Sequence, residues 1–339
     1  MPDELVAHNL RIGVFRFTLA PEQPLEVPAV NKGNMLRGGF GHAFRRLCCV
    51  PQCKDAKTCP LTAPCPYKTV FEPSPPPGAD RLSKNQDIPR PFVFRAPQIQ
   101  QTRFEPCQRF EFSLVLIGRA LDFLPYFVLS FRELAAEGLG LNRAKCNLER
   151  VEQIKVFPNG VGPQACQTDV IYTSGDELFR PIEVASADEW IKNRLHNISA
   201  HGSVYGLTIR FLTPTFLRAD GEVIRRPEFH HVFKRLRDRI NTLSTFFGEG
   251  PLEADFHELG RRAEKVRTVD CDVKWMERFR TSSKTRQRHE LSGFVGRASY
   301  EGDLTEFVPW FTMGELIHIG KHTAWGNGWI EVRKVQDEN

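Results

Sequence analysis

Hydrophobic positions in the first part of the chain predict a strand followed by a helix. Between residues 10 and 19 the apolar positions are Leu10, Ile12, Val14, Phe15, Phe17 and Leu19. This alternation slips by one residue after Val14, which predicts a bulged strand. From Leu36 to Leu47 the apolar residues recur at helical spacing, so a short amphipathic helix is expected there despite its glycines.

The pattern is then interrupted and resumes. Residues from about 48 to 90 hold most of the cysteines and the run SPPPG, which cannot continue a helix or a central strand, so this stretch is interpreted as an insertion. After it, strand patterns and one helical pattern ending at glycine follow in the order 91–97 (strand), 109–118 (strand), 121–140 (helix) and 148–156 (strand).

The second half of the chain repeats this order of elements. A strand is expected at 204–212, a helix opening at Pro227, strands at 269–275 and 289–300, and then a helix and a final glycine-rich loop and strand. Each half therefore has the order β-α-β-β-α-β. The predicted fold is α+β, with tandem ferredoxin-like, RRM-like domains at residues 1–199 and 200–339.

Composition narrows the class of protein. The 339 residues suit two domains, 26% of them are charged, and no apolar run approaches the roughly 18 residues that span a bilayer. The first residues lack the basic and apolar pattern of a secretory signal, so a soluble, cytoplasmic protein without a membrane partner is expected. The net charge of +5 permits a polyanionic partner.

A glycine-rich stretch near the end of the chain, GELIHIGKHTAWGNGWIEV, is the first candidate site. Gly320, Gly326 and Gly328 would let backbone amides approach phosphates, with Lys321 and His322 beside them. The stretch matches neither a Walker loop nor a dinucleotide fingerprint. A glycine-rich hairpin that closes a sheet is the alternative interpretation.

Positive charge is concentrated just upstream of that stretch. Residues 261–297 contain eleven lysines and arginines against five acidic residues. Within them, RFRTSSKTRQR has no acidic residue and suits a loop that tracks a phosphate backbone, although a solvated hairpin tip would give the same pattern. The basic residues predicted to bind RNA here are Arg280, Lys284, Arg286 and Arg288.

The first helix supplies a candidate catalytic group. At about 100° per residue, His42, Arg45 and Arg46 fall opposite the buried stripe, and Gly38 and Gly39 would let a substrate backbone approach that face. RNA can be cut without metal when its 2′-hydroxyl is deprotonated and attacks the adjacent phosphorus. Histidine can transfer the proton, and arginine or lysine can stabilise the added charge. A surface histidine on a basic helix is the alternative.

The cysteines are odd in number, nine in all, and bunched, which argues against a secreted disulfide framework. Four thiolates suit tetrahedral zinc, and a structural zinc held by Cys49, Cys53, Cys59 and Cys65 is the favoured interpretation. The gaps between these residues exceed the usual CxxC spacing. Unliganded thiols and an iron–sulfur cluster therefore remain open.

Two stretches of the chain resemble a known family. LSGFVGRASYEGDLTEFVPWFTMGELIHIGKHTAWGNGWIEV is similar to the C-terminal signature of the CRISPR-associated repeat-processing endoribonucleases of the RAMP superfamily, the Cas6 family. NMLRGGFGHAFRRLCC followed by CPLTAPCPYKTVFEP resembles the N-terminal block of its cysteine-containing bacterial branch. Together they cover about a quarter of the chain, in the matching order.

The resemblance implies a function and a partner. It implies recognition of a CRISPR repeat in precursor crRNA and metal-independent cleavage that leaves a 5′-hydroxyl and a 2′,3′-cyclic phosphate. The family's catalytic histidine maps onto His42, and its glycine-rich loop supports RNA binding. No cofactor is expected for catalysis, and other Cas effector subunits are candidate partners.

The helpers of His42 are less well defined, because some members of the family have a tyrosine upstream where this chain has Asn31 and Lys32. Lys32, Arg45 and Arg46 are assigned supporting roles, and Arg37 is assigned to RNA binding. Two alternative functions stay open. One is a non-catalytic RNA-binding RAMP subunit, and the other is a metal-dependent enzyme at the cysteines.

Overall fold

The computed structural model describes residues 10–30, 32–53, 59, 65–73, 88–155, 167–198, 202–281 and 288–335. Its N-terminal half contains, in order, β1 (Arg11–Pro21), β2 (Leu25–Glu26), α1 (Lys32–Cys48), α2 (Pro66–Phe71), β3 (Phe92–Arg95), β4 (Arg103–Phe104), β5 (Phe110–Ile117), a 3₁₀ turn (Gly118–Phe123), α3 (Leu124–Glu137), β6 (Cys146–Ile154), β7 (Thr168–Thr173), β8 (Ala185–Ser186) and α4 (Ala187–Ile198).

The C-terminal half follows the same plan. It contains β9 (Gly206–Thr215), β10 (Leu217–Ala219), β11 (Glu222–Ile224), α5 (Phe229–Phe247), α6 (Phe256–Ala263), β12 (Arg267–Met276), β13 (Phe279–Thr281), β14 (Arg288–Glu290), β15 (Gly293–Glu301), a 3₁₀ turn (Thr305–Phe307), α7 (Val308–Ile317), a 3₁₀ turn (Thr323–Trp325) and β16 (Ile330–Lys334).

The two main sheets, of six and four strands, share the order of four strands. The first runs β3-β5-β1-β6-β7 and the second β12-β15-β9-β16, with antiparallel neighbours throughout. If the strands of each β-α-β-β-α-β unit are counted in chain order, both sheets show the order 2-3-1-4 of the ferredoxin-like fold. The predicted tandem ferredoxin-like fold is confirmed. The predicted boundary at 199/200 falls on residues outside the described ranges.

Strand β1 is buried on both faces, which corrects the predicted phase slip after Val14. Ile12 and Val14 point into one hydrophobic core, and Phe15 and Phe17 point into another. The pairing of β1 with β5 is continuous from Ile12 to Leu19. A register shift does occur against β6, but between Thr18 and Leu19.

Helices α1 and α3 cover one face of the first sheet with an aromatic core. Phe40 of α1 is fully buried and packs against six other phenylalanines, with ring centroids 5.1–5.9 Å apart. This burial positions α1, with the opposite side of the helix left toward solvent. Among the described residues, no helix combines the length and apolar character needed to cross a membrane.

The hydrophobic pattern missed three helices, which are α2 in the predicted insertion, α4 and α6. Helix α4 lies in the N-terminal half of the sequence but packs against α7 of the C-terminal half. Its Arg194 forms a salt bridge of 2.9 Å with Glu315 of α7. Helix α6 is capped by Asp255, the residue before it, whose carboxylate accepts hydrogen bonds from the amides of His257 and Glu258.

Candidate nucleic-acid interface and active site

The start of α1 touches the glycine-rich loop of the other half. A Cβ on Gly33 would lie 2.4 Å from the carbonyl oxygen of Trp325, so only glycine allows this approach. A cavity of about 250 Å³ opens beside this contact, lined among others by Lys32, Arg278 and Asn327. The structure thus brings together two regions that the sequence analysis singled out separately.

The glycines of the loop serve packing within the protein. Gly320, Gly326 and Gly328 have φ values of 78°, 86° and 72°, a conformation that side chains rarely adopt. The amide of Gly326 donates to Thr323 O at 2.8 Å and that of Gly328 to Pro214 O at 3.0 Å. These amides already have partners and are not open to a phosphate, which corrects the predicted role of both glycines as amide donors.

Two side chains of the loop face outward. Lys321 is exposed and His322 is partly exposed, although the Lys321 amide donates to Phe216 O at 3.1 Å. The His322 ring lies 5.5 Å from the Trp325 ring, in an edge-on arrangement. These two side chains are therefore available for contact with RNA.

A buried layer of cationic groups lies behind the loop. Arg95 of β3 donates to the carbonyl oxygen of Glu315, and Arg239 of α5 donates to that of Ile317 at 2.9 Å, which caps the end of α7. His318, fully buried beside them, shares a hydrogen bond of 3.0 Å with Asn327 O. Burial, with Arg95 and Arg239 nearby, holds the pKa of His318 well below its usual value. His318 is therefore a neutral structural group.

The exposed side of α1 carries Asn34, Gly38 and His42 at successive helical turns. His42 is exposed, and a Cβ on Gly38 would meet nothing within 4 Å, so the surface above Gly38 is open. Gly39 differs, because a Cβ there would lie 2.4 Å from Leu134 of α3. Gly38 alone keeps the predicted role of exposing the helix backbone, whereas Gly39 allows two helices to pack closely.

The predicted helpers of His42 are distributed unevenly around it. Arg45, one turn further along α1, lies over the Tyr67 ring at 5.9 Å and donates to Cys53 O at 3.4 Å. Arg46 forms salt bridges with Glu133 and Glu137 of α3, which offset its charge. Arg45 therefore packs against α2 and the segment that precedes it.

Lys32 does not lie near His42. It is buried at the start of α1 and donates to Ala29 O at 3.3 Å and Ile99 O at 2.8 Å, and burial lowers its pKa. Ten residues of helix separate it from His42, or about 15 Å along the axis at 1.5 Å per residue. A direct supporting role of Lys32 beside His42 therefore finds no support in this position, and the assignment stays a prediction.

Three arginines surround the indole of Trp325. The guanidinium carbons of Arg37, Arg90 and Arg280 lie 5.6, 5.4 and 5.4 Å from its ring centroid. Arg37 comes from α1, Arg90 precedes β3, and Arg280 lies on β13, so the group joins both halves. The sequence analysis missed Arg90, which lies at the end of the insertion and outside any periodic segment.

The predicted basic loop is only partly described. Arg280 and Arg288 belong to the hairpin formed by β13 and β14, and the Arg280 side chain contacts Asn34 of α1 at 3.5 Å. Arg288 is exposed and lies over the Phe279 ring at 3.7 Å. Lys284 and Arg286 lie outside the described residues. The base of the hairpin therefore reaches the exposed side of α1.

The cysteines of the insertion lie near one another. Cys48 interacts with Cys49 and Cys65, and Cys53 interacts with Cys59 and Cys49. Among the described residues, no three histidine, cysteine or acidic side chains are grouped so as to hold a metal ion. The zinc prediction stays a prediction.

Comparison with known proteins gives two family matches. A family model described as an N-terminal domain matches residues 10–184, and the model of the CRISPR-associated endoribonuclease Cas6 matches residues 209–330. Two ferredoxin-like units that meet at a glycine-rich loop define the fold class of the chain. The second model places residues 209–330 of this chain in the Cas6 family of CRISPR-associated endoribonucleases. Among curated protein sequences, none matches this chain.

Solved structures share the fold at low sequence identity. A Thermus thermophilus Cas6 is 14% identical with a TM-score of 0.51, covering 95% of this chain and 98% of that one. A Cas6 product complex is 16% identical with a TM-score of 0.50 and coverages of 96% and 100%. A partial Cas6-RT-Cas1–Cas2 complex is 10% identical with a TM-score of 0.57, covering 98% of this chain and 48% of that one.

Proposed function

We propose that this protein binds CRISPR repeat RNA across the exposed side of α1 and cleaves it by attack of the 2′-hydroxyl, without a metal ion. The observation that carries this proposal is the open surface at Gly38, with His42 one turn further along α1 and Arg280 at the other end beside Asn34. An RNA backbone laid over Gly38 would meet a proton-transfer group and cationic groups together.

The reaction needs one proton removed from the attacking 2′-hydroxyl and one proton delivered to the leaving 5′-oxygen. His42 takes the proton of the 2′-hydroxyl, the 2′-oxygen forms a bond to phosphorus, and the bond from phosphorus to the 5′-oxygen breaks. The leaving 5′-oxygen takes a proton from a solvent water, and the protonated His42 gives its proton back to the solvent. The products are therefore a 2′,3′-cyclic phosphate and a 5′-hydroxyl, and no water is consumed overall. Arg45 stabilises the charge that develops on the phosphoryl oxygens.

The test uses a labelled repeat RNA in EDTA with the wild type, His42→Ala and His257→Ala. His257 is an exposed histidine of the C-terminal half and serves as the matched control. We expect His42→Ala to bind RNA normally but cleave roughly 10²- to 10⁴-fold more slowly, and His257→Ala to match the wild type. RNA with a 2′-deoxy nucleotide before the scissile phosphate should stay intact. Cleavage by His42→Ala at the wild-type rate would refute the assignment of His42 as the proton-transfer group.

One observation favours a second function, a non-catalytic RNA-binding subunit. Within the described part of the chain, His42 makes no hydrogen bond that would orient its ring. If the wild type and His42→Ala both bind repeat RNA and neither cleaves it across several repeats, this second function replaces the first. Loss of wild-type cleavage in EDTA, with the fold intact, would instead indicate metal-dependent chemistry.

A further inference from the structure

The arginines around Trp325 form an unusual charge arrangement. An indole has two faces, yet three guanidinium groups lie within 5.6 Å of this one, at the distance of cation–π contacts. In the part of the chain that the structure describes, no carboxylate pairs with Arg37 or Arg280. The positive charges of Arg37 and Arg280 are therefore not neutralised by a carboxylate of the described residues.

The environment of Arg37 shows the cost of this arrangement. Burial, and then the charge of Arg90, lowers the pKa of Arg37 to about 9. Its Nε atom and the Nε1 atom of Trp325 are both buried, and neither has a hydrogen-bond partner among the described residues. Buried donors without acceptors are unfavourable, and an anion supplies both acceptors and the opposite charge.

The cluster also lies where three separate elements meet. Arg37 belongs to α1, Trp325 to the glycine-rich loop, and Arg280 to the hairpin of β13 and β14. Mutual repulsion of the guanidinium groups opposes this contact, whereas an anion bound between them would favour it. Arg280 already contacts Asn34 on the exposed side of α1, so the cluster continues the surface proposed for RNA.

We infer that Arg37, Arg90 and Arg280 form, around Trp325, a binding site for a phosphodiester group of the RNA, and that its occupation holds the β13–β14 hairpin against α1. This inference rests on the proposed function for the identity of the ligand. The inference differs from the proposed function because it concerns binding only. The arginine cluster lacks a proton-transfer group and lies beside the surface on which the reaction is proposed to occur.

The test measures binding of repeat RNA with a 2′-deoxy nucleotide at the scissile position, so cleavage does not enter. Affinity is measured over a range of salt concentrations for the wild type, Arg280→Gln, Arg280→Lys, Arg90→Gln and Arg180→Gln. Arg180 is an exposed arginine paired with Asp176 in the N-terminal half and is the matched control. Circular dichroism and thermal unfolding confirm that each variant is folded.

We expect each glutamine variant of the cluster to bind about tenfold more weakly, because a charge-assisted contact is lost. The slope of log affinity against log salt should fall by about 0.7 for each lost phosphate contact. Arg280→Lys, which keeps the charge, should retain the slope, and Arg180→Gln should match the wild type.

Unchanged slopes in Arg280→Gln and Arg90→Gln, with wild-type RNA binding intact, would overturn the inference and leave the proposed function standing. If the wild type binds no repeat RNA, the proposed function fails, and the same series is run with an unrelated single-stranded RNA. If the salt slope with that RNA is smaller in the glutamine variants than in the wild type, the phosphodiester site is upheld. An unchanged salt slope overturns the inference. If inorganic phosphate at low millimolar concentration competed equally with the RNA for the cluster, the cluster would be a site for free anions, and this result would also overturn the inference.

Discussion

Replacing Gly38 with alanine adds one methyl group, which should affect the stability of α1 and its proposed contact with RNA in opposite directions. Gly38 lies in the interior of α1, and a Cβ there meets nothing within 4 Å. Because alanine is favoured over glycine in a helix by about 1 kcal/mol and no clash opposes it, Gly38→Ala should raise the free energy of unfolding by about that amount. Chemical denaturation measures this change.

The same methyl group would lie between the helix and an RNA backbone that passes over it. It would displace the phosphodiester by roughly 1 Å, and misplacement on that scale can lower a catalysed rate about 10²-fold. We therefore expect Gly38→Ala to be more stable than the wild type and to cleave repeat RNA roughly 10- to 100-fold more slowly. Single-turnover cleavage, with excess enzyme, isolates the effect on the bound RNA.

Gly39→Ala is the matched control, since it adds the same group to the neighbouring residue. Its Cβ would lie 2.4 Å from Leu134, so the gain in helix propensity is offset by overpacking, which typically costs about 1–3 kcal/mol. This variant should be less stable than Gly38→Ala, and its folded fraction should cleave like the wild type. A Gly38→Ala protein that is stable and cleaves at the wild-type rate would refute the placement of RNA over this surface.

Three further outcomes are expected. Gly33→Ala should lower the free energy of unfolding by about 1–3 kcal/mol in denaturation, because its Cβ would lie 2.4 Å from a backbone oxygen of Trp325, and wild-type stability would contradict that close contact. The depressed pKa of His318 means that, as pH falls below about 6.5, the unfolded chain binds a proton that the folded chain excludes, so the free energy of unfolding should fall by up to about 1.4 kcal/mol per pH unit. This fall should be less steep in His318→Phe and unchanged in the control His289→Phe, at an exposed histidine; equal slopes in all three proteins would refute the reasoning. If the cysteines hold structural zinc, purified protein should contain about one zinc per chain by elemental analysis and Cys53→Ser should lose it, whereas Cys107→Ser, at an exposed cysteine, should not; a zinc-free folded wild type would refute the site.

The fold could be predicted from the sequence because strand and helix periodicities recur in the same order in both halves. The exposed position of His42 was also predictable, since an angle of 100° per residue places it opposite Leu36 and Phe40. The pattern around Val14 was harder to interpret. When a strand is buried on both faces, its apolar residues run together and imitate a shift in phase.

The parts of the site that could not be predicted depend on contacts between distant segments. Arg90 lies outside any periodic element, and only the folded chain brings it to Trp325. The glycines at 326 and 328 predicted open amides, but local hydrogen bonds use those amides, and no sequence pattern distinguishes the two cases. Lys32 is near His42 in sequence, and its position at the start of the helix directs it to backbone carbonyls instead.

The double burial of β1 has a consequence for how the chain folds. The core that receives Ile12 and Val14 also contains Trp190 of α4 and Phe211 of β9, so it is built from both halves of the sequence. A fragment ending near residue 200 would keep its own ferredoxin-like connectivity and expose one whole face of its sheet. Such a fragment should aggregate during synthesis unless the rest of the chain follows. Repetition of the fold therefore does not make the halves independent folding units, and unfolding should be cooperative across both.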